Sequence, residues 1–137
     1  MAKIILASHG GLSKGMKDSV SMIVGDLAKD VETYSLLPGQ NPEDFYQEVL
    51  KEAKESEEQI LILCDIKGGS VHTALSKLAV LDNVMVFSGM NMGLALDAVM
   101  KSLGGNLELA DANHLIEAAK VGMTVMNGMT SEDDEDF

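Results

Sequence analysis

The stretch ILILCDIKGGS, residues 60–70, decides the fold of this 137-residue chain. It opens with five apolar residues, the length of a short strand, and no polar residue alternates with them. Such a composition is typical of a strand in a parallel sheet whose two faces are both covered. The stretch then changes at once to Asp65, two glycines and Ser70, a pattern that indicates a turn into the start of a helix.

Three more strand-like runs lie outward from this stretch, at residues 4–7, 31–34 and 84–87. The first and the last of them lack polar alternation, so we expect both to be buried on two faces. The run at 31–34 alternates polar and apolar residues, which favours an edge position. The sequence therefore predicts four strands, of which only the second is clearly at an edge.

Helical spacing fills the intervals between these runs and the region after them. The second helix has the clearest start, because Asn41 can cap it and Pro42 suits its first position. The five predicted helix faces are Leu12, Met16, Val20, Ile23 and Leu27; Phe45, Val49 and Ala53; Val71, Ala74, Leu75, Leu78 and Ala79; Leu94, Ala98 and Val99; and Leu115, Ala118, Ala119 and Val125. Strands alternating with helices predict a single-domain α/β fold, an open parallel sheet with helices on both faces.

Charge and composition exclude several classes of partner. The net charge is −12, and although five of the 22 acidic residues lie in residues 131–137, the other 17 still outnumber the ten basic residues. An acidic surface repels nucleic acid and anionic lipid, so we expect neither, and a basic protein partner fits better. No apolar run approaches the ~20 residues of a membrane helix, and Cys64 is the only cysteine, so we predict a cytoplasmic protein without membrane insertion.

Chemistry-bearing residues follow the first and third strands, where sites form in open parallel sheets. His9 precedes two glycines, which allow a tight turn and leave a nucleophilic imidazole at the sheet edge. Asp65 can fix the tautomer of that imidazole, while the glycines at 68–69 and the hydroxyl of Ser70 can hold an anion. Each residue also has a plainer interpretation, a surface histidine or a helix-capping aspartate, and only their coincidence favours a catalytic site.

The remaining candidates rank lower. His72 lies beside the predicted anion site and is either an exposed residue or a contact at its rim, while His114 is interpreted as a surface residue. Cys64 lies within an apolar strand, so we expect a buried, unreactive thiol. His9 and Asp65 supply only two possible metal ligands, so neither a metal nor any other cofactor is predicted.

Four segments, in order along the chain, resemble the EIIA component of the mannose-family sugar phosphotransferase system (PTS). They are IILASHG at 4–10, LPGQN at 37–41, LCDIKGGS at 63–70 and GMNM at 89–92. The resemblance covers almost the whole chain and implies an EIIA domain at residues 1–130, followed by an acidic tail at 131–137 that we expect to be disordered.

The resemblance also implies an activity. His9 would accept a phosphoryl group from the carrier HPr and pass it to a histidine of an EIIB subunit, serving membrane EIIC and EIID subunits indirectly. Asp65 would orient His9. The residues implied to bind the phosphate are Gly10, Gly68, Gly69 and Ser70. A homodimer is implied as well, in which a C-terminal antiparallel strand pairs with the sheet of the other subunit.

The exchanged segment is expected near 124–129, because residues 121–129 suit a helix poorly: Gly122 and Gly128 interrupt them, Thr124 and Val125 favour a strand, and three methionines need burial. The alternative is that this stretch finishes the fifth helix. Lys67, Val71 and Gly93 depart from the family pattern at the rim of the site, without removing a reacting group. Two other functions stay open, a phosphocarrier subunit for dihydroxyacetone kinase and a non-catalytic anion-binding or regulatory module on the same scaffold.

Overall fold

A computed structural model describes residues 2–128 and contains one parallel sheet. Its strands are β1 (Lys3–His9), β2 (Glu32–Leu36), β3 (Ile60–Cys64) and β4 (Val84–Phe87). Their order across the sheet is β2-β1-β3-β4, and each neighbouring pair is parallel. The predicted α/β class is confirmed, and so is the edge position of the second strand.

Five helices connect or follow the strands. They are α1 (Leu12–Val24), α2 (Pro42–Glu55), α3 (Ser70–Leu75), α4 (Met92–Ser102) and α5 (Leu109–Val121), and short 3₁₀ turns extend α1 through Ala28 and α3 through Val80. The cap predicted for α2 is present, because the side chain of Asn41 accepts a hydrogen bond from the backbone N–H of Glu43 at 3.0 Å. None of the helices described between residues 2 and 128 is both long and apolar enough to cross a membrane.

The sheet has apolar layers on both faces, as the runs without polar alternation predict. Along β1, Ile4 and Leu6 point to one layer and Ile5 and Ala7 to the other, and β3 alternates in the same way. The first layer includes residues of α1, α4 and α5, and the second includes residues of α2 and α3. Because the sheet is covered on both sides, the open places for chemistry are the ends of the strands.

The register of the sheet brings the ends of β1 and β3 together. Ala7 lies opposite Cys64, so the next residues of the two strands leave the sheet at the same edge. The backbone N–H of Asp65 still donates to the carbonyl of Ala7 at 3.1 Å, and that of Gly10 donates to Leu36 at 2.8 Å. His9 and Asp65 are therefore neighbours although 56 residues separate them.

The fourth strand contacts both apolar layers, as predicted, with Val84 buried in one layer and Phe87 in the other. β4 is the outer strand on the side opposite β2, and Met85 and Val86 are only half-buried. Nothing in the composition of an apolar run reveals its place in the order of a sheet. The open side of β4 forms a groove with α5.

The predicted face of α1 is also wrong in part. Met16 and Val20 pack against the core as expected, but Leu12, Ile23 and Leu27 are exposed. Ser13 is fully buried instead, because its hydroxyl donates to the carbonyl of Tyr34 at 2.8 Å. Because a buried hydroxyl needs a hydrogen-bond partner, the helix turns Ser13 towards the core, and the spacing of apolar residues does not show this.

Smaller differences concern the third and fifth helices. Ala79 and Ala118 are exposed, although both were expected on buried faces. α5 ends at Val121, so Val125 lies outside it and is 89% exposed. Residues 122–128 form neither helix nor strand in this chain, while Met129 and the acidic tail at 131–137 lie outside the described residues.

The base of β3 is joined to the last third of the chain by a buried glutamine. The side chain of Gln59 donates to the carbonyl of Leu107 at 2.7 Å and accepts from its N–H at 2.8 Å. Gln59 immediately precedes the strand that ends at Asp65, so this pair of bonds fixes the strand from the end opposite the site. Sequence reasoning did not identify it.

Candidate active site

The imidazole of His9 lies against the carboxylate of Asp65 at the C-terminal edge of the sheet. Nδ1 of His9 is 2.8 Å from Oδ2 of Asp65, and the backbone N–H of His9 donates to the same oxygen at 2.8 Å. The side chain of His9 is 48% exposed and that of Asp65 only 9%. The carboxylate is thus largely enclosed, and the ring that it contacts opens to solvent.

Several hydrogen bonds keep Asp65 ionised. Burial acts to raise the pKa of this carboxyl, but the backbone and side-chain hydrogen bonds from His9 and the backbone N–H of Ile66 outweigh it and lower the pKa below its ordinary value. The N–H of Ile66 donates to Oδ1 at 2.8 Å, so both carboxylate oxygens are occupied. A carboxylate with this set of donors is a permanent acceptor at neutral pH.

The ionised carboxylate assigns the tautomer of His9. Because Asp65 can only accept, the proton of the neutral ring resides on Nδ1, and Nε2 keeps its lone pair. Nε2 lies 3.0 Å from the hydroxyl of Ser70, which can donate to it. Asp65 thus orients the ring through Nδ1, while Nε2 has the lone pair of a nucleophile and lies beside the hydroxyl of Ser70.

The loop between Asp65 and α3 brings Ser70 to the ring. The N–H of Gly69 donates to the carbonyl of Ile66 at 3.2 Å, and Gly68 has a φ of +79°, as in a type II turn. A Cβ on Gly69 would lie 3.2 Å from Cε1 of His9 and 2.8 Å from Cγ2 of Ile66. Gly69 therefore lies against the edge of the imidazole, and a larger residue there requires Ile66 to move and crowds the ring.

The glycine N–H groups predicted to bind phosphate all donate elsewhere. Gly10 donates to Leu36, Gly69 donates to Ile66, and Gly68 donates to Nδ1 of His72 at 3.0 Å. The glycines thus shape the loops around His9, and the expectation that their N–H groups face an anion is not met by this geometry. The better-placed donors are the hydroxyl of Ser70 and the first N–H groups of α3, whose start has no side-chain cap.

Two serines that sequence reasoning missed hold the loop after His9. The buried hydroxyl of Ser8 accepts from the N–H of Ser13 at 2.8 Å and lies 3.2 Å from the carbonyl of Gly10. Ser13 in turn bonds to β2 through Tyr34. The sequence did contain one sign of this role, because Ser8 is a polar residue at the end of an apolar strand and directly precedes His9.

Large exposed apolar side chains occur at the same edge as His9. Leu12, Leu37 and Ile66 follow the ends of β1, β2 and β3 and are 51%, 50% and 60% exposed, and we call them the apolar rim. Two grooves, of about 400 and 590 Å³, lie elsewhere, and His9 lines neither of them. A nucleophile on an open, partly apolar surface suits a protein partner better than a small molecule, which binds in an enclosing pocket.

The other candidates from the sequence are now located. His72 is half-buried and contacts the site loop through Gly68, whereas His114 is exposed on α5. Cys64 is fully buried, as expected, and burial raises the pKa of its thiol to about 12, which disfavours the reactive thiolate. Between residues 2 and 128, no three His, Cys, Asp or Glu side chains come together as a metal site would require.

The family model described as "PTS system fructose IIA component" matches residues 3–119. The PTS system sorbose-specific EIIA component of Klebsiella pneumoniae is 32% identical over 101 residues, which cover 72% of this chain and 73% of that protein.

Solved structures agree in fold. The phosphotransferase system component EIIA from Streptococcus agalactiae has 26% identity and a TM-score of 0.78, covering 91% of this chain and 97% of that one. The mannose/sorbose specific IIA subunit from Enterococcus faecalis has 24% identity and a TM-score of 0.77, covering 94% and 97%. The resemblance seen in the four sequence segments is confirmed, and the chain belongs to the mannose family of PTS EIIA components, which serve phosphoryl transfer in sugar uptake.

Proposed function

We propose that Nε2 of His9 accepts a phosphoryl group from phospho-HPr and passes it to a histidine of an EIIB subunit. The observation that carries this proposal is the pairing of Nδ1 with an enclosed, ionised Asp65 while Nε2 remains on the exposed side of the ring. This pairing orients the ring and leaves one nitrogen to react. The sugar is then phosphorylated during uptake through the membrane EIIC and EIID subunits, which this chain serves indirectly.

The transfer conserves atoms and charge in both directions. The lone pair of Nε2 forms a bond to phosphorus as the bond from phosphorus to the donor histidine breaks, and the departing imidazole keeps that electron pair. The phosphorylated ring of His9 retains its proton on Nδ1 and becomes cationic, and the carboxylate of Asp65 stabilises that charge at 2.8 Å. In the second step the EIIB histidine attacks the same phosphorus, and His9 returns to its neutral form.

Ser70 supports the phosphoryl group rather than the nucleophile once the group has arrived. In the free protein its hydroxyl lies 3.0 Å from Nε2. When phosphorus occupies Nε2, that hydroxyl can rotate and donate to a phosphoryl oxygen, because a hydroxyl hydrogen follows its best acceptor. The uncapped first turn of α3 supplies N–H groups beside it, so these donors replace the glycine N–H groups expected from the sequence.

The surface around His9 is suited to protein partners. The apolar rim offers contact area, and the excess of acidic residues favours partners with a basic face. Both features fit a carrier that exchanges phosphoryl groups with other proteins in the cytoplasm. Neither suits nucleic acid.

We also propose that two copies of the chain exchange their C-terminal segments. β4 is an edge strand whose open side forms an apolar groove of about 590 Å³ with α5. Met123, Val125 and Met126 are 77%, 89% and 52% exposed in the single chain. A strand from a second copy, laid antiparallel along β4, would cover the open edge and bury these side chains, and a two-fold axis would make the exchange mutual.

Phosphorylation in a defined mixture tests the main proposal. The chain incubated with phosphoenolpyruvate, enzyme I and HPr should gain the mass of one phosphoryl group, and acid should remove it as it does from phosphohistidine. His9→Ala should gain nothing, while His114→Ala, a change on the exposed face of α5, should behave as the unaltered chain does. Label on His9→Ala, or no label on the unaltered chain, would contradict the proposal, and the latter would favour a non-catalytic anion-binding module.

A further inference from the structure

We infer that His72 is a positioning residue, which holds the loop in front of His9 by accepting the N–H of Gly68 on its Nδ1. The inference rests on the proposed phosphoryl transfer for its kinetic part and on geometry alone for its structural part. His72 is the third residue of α3, and its ring is half-buried beside the loop.

Two side chains of α3 form hydrogen bonds to the backbone N–H and carbonyl of Gly68. Nδ1 of His72 is 3.0 Å from the backbone nitrogen of Gly68, and the hydroxyl of Thr73 lies 3.3 Å from its carbonyl oxygen. Gly68 has a φ of +79°, a conformation open to glycine and otherwise free to change. Two side chains from the helix therefore fix a backbone unit that has no side chain of its own to anchor it.

The residues that follow Gly68 are the ones that contact His9. Gly69 supports the edge of the imidazole, where a Cβ would come within 3.2 Å of Cε1, and the hydroxyl of Ser70 lies 3.0 Å from Nε2. A rotation of the Gly68 unit would displace both of these contacts at once. Because displacements on the order of 1 Å at a reacting centre cost roughly 100-fold in rate, the anchor at Gly68 bears on the transfer step.

The bond fixes the tautomer of His72 as well. Gly68 is the donor, so Nδ1 of His72 carries no proton and the neutral ring holds its proton on Nε2. His9 has the opposite tautomer, with its proton on Nδ1 facing Asp65. In their neutral forms the two histidines therefore use opposite nitrogens, His9 presenting Nε2 for reaction and His72 using Nδ1 as an acceptor for the backbone.

A neutral acceptor has an advantage at this position. In a capping box, the third residue of a helix reaches back to a backbone N–H at the helix start, and it is usually Glu or Gln. His72 does the same for the N–H one residue further back. Unlike glutamate, it adds no negative charge to a site that has to accommodate a phosphoryl anion.

Nitrogen NMR of the unaltered chain tests the geometry without any transfer reaction. The ring nitrogen shifts should report an unprotonated Nδ1 and a protonated Nε2 for His72, and the reverse for His9. A scalar coupling across the hydrogen bond should connect the amide nitrogen of Gly68 with Nδ1 of His72. If His72 instead carries its proton on Nδ1, or the coupling is absent, the inference is overturned even where phosphorylation of His9 succeeds.

Three variants test the effect on transfer. His72→Phe keeps a ring but removes the acceptor, so single-turnover transfer from saturating phospho-HPr should slow roughly five- to tenfold, the scale of one lost hydrogen bond. His72→Asn places an amide oxygen near the position of Nδ1 and should recover most of that rate. His114→Phe, the matched change on exposed α5, should have no effect.

The concentration dependence separates positioning from docking. For His72→Phe we expect the saturating rate to fall while the half-saturating concentration of phospho-HPr stays within twofold. An unchanged or faster His72→Phe, or equal losses in the Phe and Asn variants, would refute the role assigned to His72. A failure of the proposed function would look different, because the unaltered chain itself would then take up no phosphoryl group.

Discussion

Oδ2 of Asp65 accepts two hydrogen bonds from the same residue, one from Nδ1 of His9 and one from its backbone N–H, each 2.8 Å long. One oxygen therefore fixes both the end of β1 and the plane of the ring that the strand carries. This arrangement requires β1 and β3 to be adjacent and in the observed register. The orientation of the His9 imidazole is thus fixed by the pairing of the two strands.

Asp65→Asn should leave the protein folded but slow phosphoryl transfer. The single oxygen of asparagine can face either the two donors of His9 or the N–H of Ile66, whereas Asp65 serves both sides. If the amide nitrogen faces His9, it donates to Nδ1 and the Nδ1-protonated tautomer is lost, and in either orientation the negative charge beside the ring is gone. We expect a loss of at least tenfold, below the ~10⁴ seen where an equivalent change disables a catalytic base.

Rapid-quench measurement of the phosphorylated chain gives this rate, with circular dichroism to confirm the fold. Ser70→Ala provides a comparison and should cost less, because neighbouring N–H groups remain. An Asp65→Asn protein that is folded and transfers at the unaltered rate would show that this carboxylate only anchors the backbone.

The stability contributed by Asp65 should disappear in acid. Burial acts to raise the pKa of this carboxyl, but the hydrogen bonds from His9 and Ile66 outweigh it, so the folded pKa lies below the unfolded one. A group of this kind stabilises the fold fully above its unfolded pKa of about 4, and the contribution is lost as the pH falls through the folded pKa.

Urea unfolding of the unaltered chain and of Asp65→Asn at a series of pH values measures this contribution. The difference between their free energies of unfolding should be largest near neutral pH and should shrink below pH ~4. A difference that stays constant down to pH ~2 would mean that the charge of Asp65 does not contribute.

Gly69→Ala should impair the site more than it impairs the fold. The added Cβ would come within 3.2 Å of Cε1 of His9 and 2.8 Å of Cγ2 of Ile66, so the ring or the loop must shift. We expect transfer to slow by tenfold or more, since small displacements at the reacting atoms are costly.

Gly15→Ala is the matched control. It introduces the same methyl group on α1, where no atom lies within 4 Å, and should stabilise the helix by up to ~1 kcal/mol without slowing transfer. Equal transfer rates for Gly69→Ala and Gly15→Ala would remove the steric role of Gly69.

The full chain should be a dimer in solution. Its mass is 14.6 kDa, so light scattering should give twice that value at micromolar concentration. Deletion from residue 124 onward should produce monomers or aggregates, because the edge of β4 would lose the strand proposed to cover it.

Deletion of residues 131–137 alone is the control and should leave the dimer intact. A monomeric full chain would contradict the exchange, and a dimer that survives deletion from residue 124 would move the interface elsewhere.

The fold class could be predicted because it depends on local patterns. Apolar runs without alternation identified β1 and β3, and the Asn41-Pro42 pair identified the start of α2. The residues at the strand ends then predicted that His9 and Asp65 would meet, because parallel strands finish at a common edge. Each of these inferences uses residue type and spacing alone, and the structure confirms the resulting contact.

What could not be predicted depends on partners that are distant or belong to the backbone. Ser13 turns inward for a carbonyl 21 residues away, and Gln59 is buried for a backbone pair 48 residues away. The hydrogen bond from Gly68 to His72 is donated by a backbone N–H, which every residue except proline has. The residue types alone therefore do not predict it. For the same reason, the sequence did not show that the N–H groups of the glycines expected to bind phosphate already have acceptors within the protein.

The exposure of His9 on a single open edge has a consequence for timing. The apolar rim and the reacting nitrogen share one surface, so a donor and an acceptor that both reach Nε2 have to occupy that surface in turn. Under the proposed transfer, each phosphoryl group would then wait on His9 until the donor protein leaves and the acceptor protein arrives. In such a relay a partner that binds too tightly lowers the flux, and short residence times matter more than high affinity.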